Sequence, residues 1–409
     1  MLSHLRIKIA LFSAYFVFAI LLNSVGTVIM QSINSFGASE ADASLLEAFK
    51  DLPIAVVSFL VASWLPKFGY RQGMIVAFSV VALACLAMPL APSFLMTKLV
   101  FVAIGSSFGV TKIAVYATIG LVTESRNEHA SFMNFIEGFF MIGMWSGYWI
   151  FGAFIDSSNP ASYSWLNVYW LLAGLSAANI FLLLGTHFDQ AASVPAGADA
   201  LSEFIAMMKL VWRPLVLIFV LAAFLYVLIE QGIGTWLPTF NLKVLDLPAA
   251  MSAQITSIFA GGLAIGRLSA GFLLARMSWY PLLNVCVVAM AMLILAVMPF
   301  AAPASHGAEI TWFNAPPAAY LLPLIGLFMA PIYPVVNSVV LSALPKERHA
   351  HMAGLIVVFS ALGGTTGSRI TGLTFEHFGG ETAFYLPLIP MAVILVCLYL
   401  LHREVIKAG

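Results

Sequence analysis

Long apolar runs follow one another along almost the whole chain, separated by short polar connections. Most of these runs are apolar on every side. That marks a buried or membrane helix, whereas a surface helix shows a single greasy stripe. About 20 apolar residues cross the hydrocarbon of a bilayer. The pattern predicts twelve spans, at 9–33, 44–66, 73–91, 95–122, 131–155 and 163–186, then at 214–240, 248–273, 279–301, 317–344, 350–372 and 382–402. The expected fold is an all-α polytopic membrane protein.

Composition agrees. Of 409 residues, 62% are hydrophobic and 9% charged, with mean hydropathy +1.00; soluble domains are about a quarter charged. Net charge is zero and no basic run points to nucleic acid. Cys85, Cys286 and Cys397 sit in apolar segments and read as packed thiols, with no metal or disulfide framework. No cofactor is expected. The N-terminus has a basic start, but its apolar run to about Ile33 is too long for a signal core and reads as a retained first helix.

Charge in the connections sets orientation. Arg6, Lys8, Lys67, Arg71, Arg126, Lys209, Arg213, Arg276, Lys346, Arg348, Arg403 and Lys407 fall in the termini and even-numbered loops. The odd-numbered loops hold acids such as Glu40, Asp42, Glu309, Glu376 and Glu381. Positive charge stays in the cytoplasm, so both termini are expected there, in what reads as a bacterial inner membrane protein.

The longest polar connection, His187 to Met208, separates six spans from six. The expected division is an N-terminal bundle at 1–186, a cytoplasmic linker at 187–213 with a short interfacial helix after Ala200, and a C-terminal bundle at 214–409. A shift of 220 residues matches His129 with His349, Phe139 with Phe359, Gly143 with Gly363, Gly147 with Gly367, Gly152 with Gly372 and Asp156 with Glu376. Spans five and eleven are thus equivalent members of a repeat. Two parallel six-helix halves around a midplane site form a recurring transporter plan. The glycine pairs are small-xxx-small motifs, fitted to static packing or to the meeting of gating helices.

Span seven, LAAFLYVLIEQGIGTWLPT from Leu221 to Thr239, carries Glu230 and Gln231 inside an apolar run. A carboxylate in hydrocarbon costs a few kcal/mol, so it faces protein or a wet cavity. Tyr226, Glu230, Gly232, Ile233 and Gly234 make this helix similar to one in the fucose–galactose–proton symporter branch of the major facilitator superfamily. Asn134-Phe135-Ile136-Glu137 and Ala330-Pro331-Ile332-Tyr333-Pro334 resemble its fifth and tenth helices. Trp64 to Gly73 resembles the superfamily's basic loop without its Asp, with Gly266-Arg267-Leu268 and Gly271 as the second-half counterpart. The resemblance implies the major facilitator fold, two pseudo-symmetric six-helix bundles. Sugar symporters of that branch have acids in helices one and four. Here span one offers Asn23 and Gln31, and span four reads Gly109-Val110-Thr111-Lys112. Fucose is therefore not carried over as the substrate.

The candidate proton-coupling residues are Glu230, Glu137 and Asp51. The candidate solute ligands are Lys112, Asn23, Gln31, Asn134, Tyr226, Gln231, Asn337 and Arg369, with Trp145 and Trp149 as stacking platforms. Lys112 and Glu137 form either a neutralising structural pair or one opened by solute or proton. Glu230 has Arg369 as a possible partner. Lys50 and Asp51, adjacent in sequence, are expected on different helix faces, and Arg267 reads as a cytoplasmic-side anchor. These residues suit a proton-coupled symporter of a small hydrophilic solute, working by alternating access. Resemblance favours a sugar or sugar derivative, while Lys112 and Arg369 leave an anionic sugar or organic acid open. The rival readings are an exporter of amphipathic compounds by proton antiport and a nutrient receptor. An enzyme is not expected, since His306, His349, His351 and His377 have no ligand-spaced partners. The expected partners are solute, protons and membrane lipid, with the protein a monomer.

Overall fold

The computed structural model describes residues 2–61, 64–123, 126–186, 205, 207–303, 310–345 and 348–408. Of the 187–213 linker, residues 187–204 and 206 lie outside these, while 205 and 207–210, in the stretch after Ala200 where a short helix is expected, are helical. Among the described residues every regular element is helical. Within hydrocarbon no water can satisfy backbone N–H and C=O groups, so each span meets them internally as a helix.

Span one is Leu2–Asn23 continued by Val25–Phe36, and span two is Glu40–Val61. Spans three to six are Tyr70–Leu90, Phe94–Val122, Arg126–Phe154 and Val168–Leu184. Span seven is Pro214–Gly234 with Leu237–Lys243, span eight Ala249–Ile255 with Ser257–Leu274, and span nine Trp279–Val297. Span ten starts at Pro317 and ends in Ile332–Ser342, span eleven is His349–Phe378, and span twelve is Gly380–Tyr385 with Leu388–Ala408. Ten of these are long and apolar enough to cross a membrane. Glu40–Val61 and Arg126–Phe154 complete the twelve long helices. Prolines account for several breaks, since each removes a backbone donor and crowds the preceding turn. Pro238, Pro331 and Pro387 stand beside the interruptions of spans seven, ten and twelve.

The helices form two compact units. One comprises Met1–Val25, Asn34–Phe36 and Phe49–Ala200; the other comprises Gly26–Ile33, Gly37–Ala48 and Leu201–Gly409.

In the first unit span five lies against span one with almost no side chain between them. A Cβ on Gly143 would stand 2.6 Å from the Phe16 carbonyl oxygen, and one on Gly147 would stand 3.5 Å from the Ile20 Cα. Span four meets span two the same way, a Cβ on Gly105 falling 2.2 Å from the Lys50 carbonyl oxygen. Arg71, in the first turn of span three, donates through Nε to the Leu183 carbonyl at 2.8 Å and through Nη2 to that of Leu184 at 2.8 Å. It thereby caps the end of span six, where helix carbonyls lack partners and the helix dipole is negative. Gly69, at φ 102°, makes the turn that delivers it.

The second unit repeats the device. A Cβ on Gly363 would stand 2.4 Å from the Phe224 carbonyl oxygen, and one on Gly367 would stand 2.1 Å from that of Leu228. Span eleven thus rides on span seven as span five rides on span one, at the glycines the repeat had paired. Span eight meets span ten at Gly266, whose Cβ would lie 2.2 Å from the Leu327 carbonyl oxygen. The start of span two also packs in this unit. Ala41 N–H donates to Glu376 at 2.8 Å, Ser368 Oγ donates to the Ser44 carbonyl at 3.3 Å, and Lys243 pairs with Glu40.

The repeat-matched acids Asp156 and Glu376 do different work. Asp156 closes its own turn, accepting from Ser158 Oγ at 2.6 Å and Ser158 N–H at 2.9 Å. The Ser158 hydroxyl and N–H hold its carboxyl below the usual carboxylate range.

Candidate functional site

Each unit contains a polar cluster inside its apolar helices. In the first unit, Tyr116 of span four donates its hydroxyl to Glu137 Oε1 of span five at 3.0 Å. Lys112, one helical turn before Tyr116, places Nζ 6.0 Å from the Tyr116 ring centroid and interacts electrostatically with Glu137. Tyr15 of span one completes the group, its ring 6.1 Å from that of Tyr116. Tyr15 is 1% exposed and its hydroxyl lies beside that of Tyr116. Phe108 and Phe140 wall it in, at 6.1 and 5.9 Å.

In the second unit Tyr226 donates its hydroxyl to Glu230 Oε1, one turn further along span seven, at 3.2 Å. Tyr333 of span ten stacks on Tyr226 with centroids 5.2 Å apart and shares a hydrogen with Ser360 Oγ of span eleven at 2.9 Å. Arg267 of span eight acts electrostatically on both tyrosines. Arg267 is itself exposed, while its neighbour Gly266 is buried where span eight meets span ten. Asn337, one turn beyond Tyr333, has a buried Oδ1 with no partner among the described residues.

The remaining candidates lie elsewhere. Gln231 accepts from Thr235 Oγ1 at 3.3 Å, and the same hydroxyl lies 3.2 Å from Glu47 Oε2. Gln31 is buried with its Nε2 unpartnered among the described residues. Arg369 donates through Nη1 to the Ala41 carbonyl oxygen and to Ser44 Oγ at 3.4 Å, at the start of span two. Asn23 donates to the Ala19 carbonyl at 2.8 Å, where span one is interrupted. Lys50 and Asp51, expected on different helix faces, do meet, Nζ to Oδ1 at 3.5 Å, a separation that the long lysine stem can span. Asn134 is exposed, as are Trp145 at 47% and Trp149 at 37%.

Sequence reading did not select Tyr116 or Tyr15. A signal existed in the four-residue spacing of Lys112 and Tyr116, the same spacing that joins Tyr226 to Glu230.

Long apolar helices in two repeat-related sets, with ionisable side chains held among them, define an integral membrane transporter. The chain belongs to the Major Facilitator Superfamily, whose sequence profile matches residues 9–368 and 321–408. Bypass of stop codon protein 6 of Saccharomyces cerevisiae is 23% identical over 202 residues, 47% of this chain and 38% of that protein. The MFS transporter asaE of Aspergillus flavus is 24% identical over 168 residues, 40% of this chain and 35% of that one. The chain thus spans well under half the length of either. Three solved structures share the fold. A bacterial homologue of the human lysosomal transporter Spinster has TM-score 0.78 and 14% identity, covering 100% of this chain and 98% of that one. The nucleoside transporter NupG has TM-score 0.73 and 15% identity, covering 98% and 100%. FucP, in its outward conformation, has TM-score 0.62 and 17% identity, covering 97% and 99%.

Proposed function

We propose that this transporter is a proton-coupled symporter of a small hydrophilic solute, a sugar or sugar derivative, working by alternating access. We take 1–186 and 214–409 as its halves and 187–213 as the linker, with both termini cytoplasmic in a bacterial inner membrane. One observation carries this reading: a carboxylate inside each unit, Glu137 and Glu230, hydrogen-bonded to a tyrosine. An ionisable group kept in hydrocarbon is the hallmark of a proton or ion path. Fold neighbours described as a fucose:proton symporter and a D-xylose–proton symporter add support. In this reading Glu230, Glu137 and Asp51 handle protons. Lys112, Asn23, Gln31, Asn134, Tyr226, Gln231, Asn337, Arg369 and Trp145 serve the solute.

The test is uptake by proteoliposomes under an imposed pH gradient. Accumulation that collapses with the gradient, and is abolished by Glu230→Gln, supports the proposal. Accumulation indifferent to the gradient rules out proton coupling.

One observation favours a second reading, export of amphipathic compounds. Leu225, Leu228, Gly232, Gly367, Leu386 and Ile389 line an almost wholly apolar groove of about 240 Å³ along spans seven, eleven and twelve. Proton-driven efflux of a hydrophobic cation, with no sugar uptake, would select it.

A further inference from the structure

Glu47 belongs to neither cluster. It lies in the part of span two that packs with the second unit, and it is 0% exposed. Its Oε2 stands 3.2 Å from Thr235 Oγ1, which also stands 3.3 Å from Gln231 Oε1. Thr235 falls where span seven is interrupted. A Cβ on Gly26, in the first turn of the second segment of span one, would lie 2.4 Å from the Thr235 carbonyl oxygen. Spans one and two thus both meet span seven at this one residue.

The repeat does not call for an acid here. The glycine seams match Phe16 of span one with Phe224 of span seven, and Ile20 with Leu228. In that register Gly26-Thr27 matches Gly234-Thr235. The buried Thr27 hydroxyl has no hydrogen-bond partner among the described residues. Gly105 against the Lys50 carbonyl and Gly326 against that of Phe259 set a second register, in which Glu47 matches Thr256. One half therefore carries a sealed carboxyl group where the other carries a hydroxyl.

We propose that Glu47 is a further proton-coupling residue: it holds a proton while these ends of spans one and two are docked on span seven, and losing that proton undocks them. The proposal rests on the proton-symport reading above and adds an acid to the three named there.

Counting hydrogens carries the argument. Thr235 Oγ1 has one hydrogen, while an ionised carboxylate and an amide oxygen only accept. With Glu47 ionised, that hydrogen faces two acceptors, and one of the two oxygen–oxygen contacts is left without any. With Glu47 protonated the row is complete, from Glu47 to Thr235 to Gln231.

Charge points the same way. Lys50, on the next turn of span two, meets Asp51 at 3.5 Å. An ionised Glu47 would add net negative charge to a place sealed from water, which is expensive. The other charged groups around this end of span two have their own contacts. Arg369 and Glu376 of span eleven bind Ala41 and Ser44, and Lys243 at the end of span seven binds Glu40. Lys98 of span four lies over the Phe49 ring at 5.7 Å, and Glu230, beside Gln231, accepts from Tyr226. Docking then waits for a proton, which ties closure of the solute path at this end to the proton gradient.

The experiment follows a thiol. Ser32→Cys puts one in the docked part of span one, at a fully buried hydroxyl with no hydrogen-bond partner among the described residues. The background carries Cys85→Ala, Cys286→Ala and Cys397→Ala. Maleimide labelling of the purified protein is measured against pH and normalised to the same thiol in unfolded protein. With Glu47 intact, labelling is expected to quicken as pH rises, by up to about tenfold per pH unit, the slope of one linked proton. Glu47→Gln, neutral at every pH, is expected to label slowly and without that slope, and an unchanged thermal unfolding temperature shows that it folds. Thr235→Val removes the shared hydroxyl and should speed labelling severalfold at low pH. Flat labelling with Glu47 intact overturns the inference. So does the same slope in Glu47→Gln, or labelling indifferent to Thr235→Val. None of these three results touches the proton-symport reading, which falls only if uptake ignores the pH gradient.

Discussion

Glu376 accepts the Ala41 N–H at 2.8 Å, and Arg369, two turns earlier on span eleven, donates to the carbonyl oxygen of the same residue. One helix thus holds both peptide groups of Ala41, in the first turn of span two, where N–H groups lack intrahelical partners. Glu376 acts as an N-cap supplied from a distant part of the chain.

Glu376→Ala is therefore expected to lower the thermal unfolding temperature only slightly, because Glu376 is exposed and water can replace part of what it gives. Hydrogen exchange should quicken at residues 41–44. Glu376→Gln, which keeps an acceptor, should lose less.

The glycine seams give a sharper contrast. Gly367→Val and Gly143→Val each drive side-chain atoms into a carbonyl oxygen and are expected to cost about 1–3 kcal/mol or more. Gly138→Ala and Gly261→Ala meet nothing within 4 Å and should leave thermal unfolding unchanged within about a degree, helix propensity favouring alanine slightly.

Arg71→Gln removes a charged donor from the Leu183 and Leu184 carbonyls. A loss of about 1–2 kcal/mol is expected, since the site is part-exposed and water replaces some of the interaction. Arg71→Lys, which cannot fork across two carbonyls, should restore only part of it. Limited proteolysis around 64–70 is the readout.

Lys112→Met leaves Glu137 inside the first unit without its nearby cation and is expected to destabilise by about 3–5 kcal/mol. Adding Glu137→Gln should recover most of that. Thermal unfolding of the single and double variants checks it, and equal losses in both would mean that the pair is not coupled.

Asp156 carries a pH signature. Its carboxyl is held low by Ser158, so the turn's contribution is complete above the unfolded carboxylate value and fades as pH falls through the lowered folded one. Asp156→Asn should therefore be less stable than wild type at neutral pH and equal to it in strong acid. A stability difference constant across that range would refute the assignment.

Much of this molecule was legible in its residues. Periodicity and hydropathy located the spans, because a bilayer imposes length and apolarity on every one. Gly143 with Gly363, and Gly147 with Gly367, announced the repeat; close backbone approach forbids a Cβ at Gly143, Gly363 and Gly367, while Gly147 has room for one. What could not be read was rotation about each helix axis. Runs that are apolar all round carry no preferred face, so nothing in the letters said that Arg369 turns toward Ala41 or that Tyr116 turns toward Glu137.

A junction in which peptide meets peptide has no interlocking knobs. Displacement along the Gly363–Gly367 track of span eleven exchanges one smooth contact for a similar one, with no leucine to climb over. Such a track is expected to act as a bearing, firm against separation yet permissive of slip, and bulky residues placed along it should stall turnover before they unfold the protein.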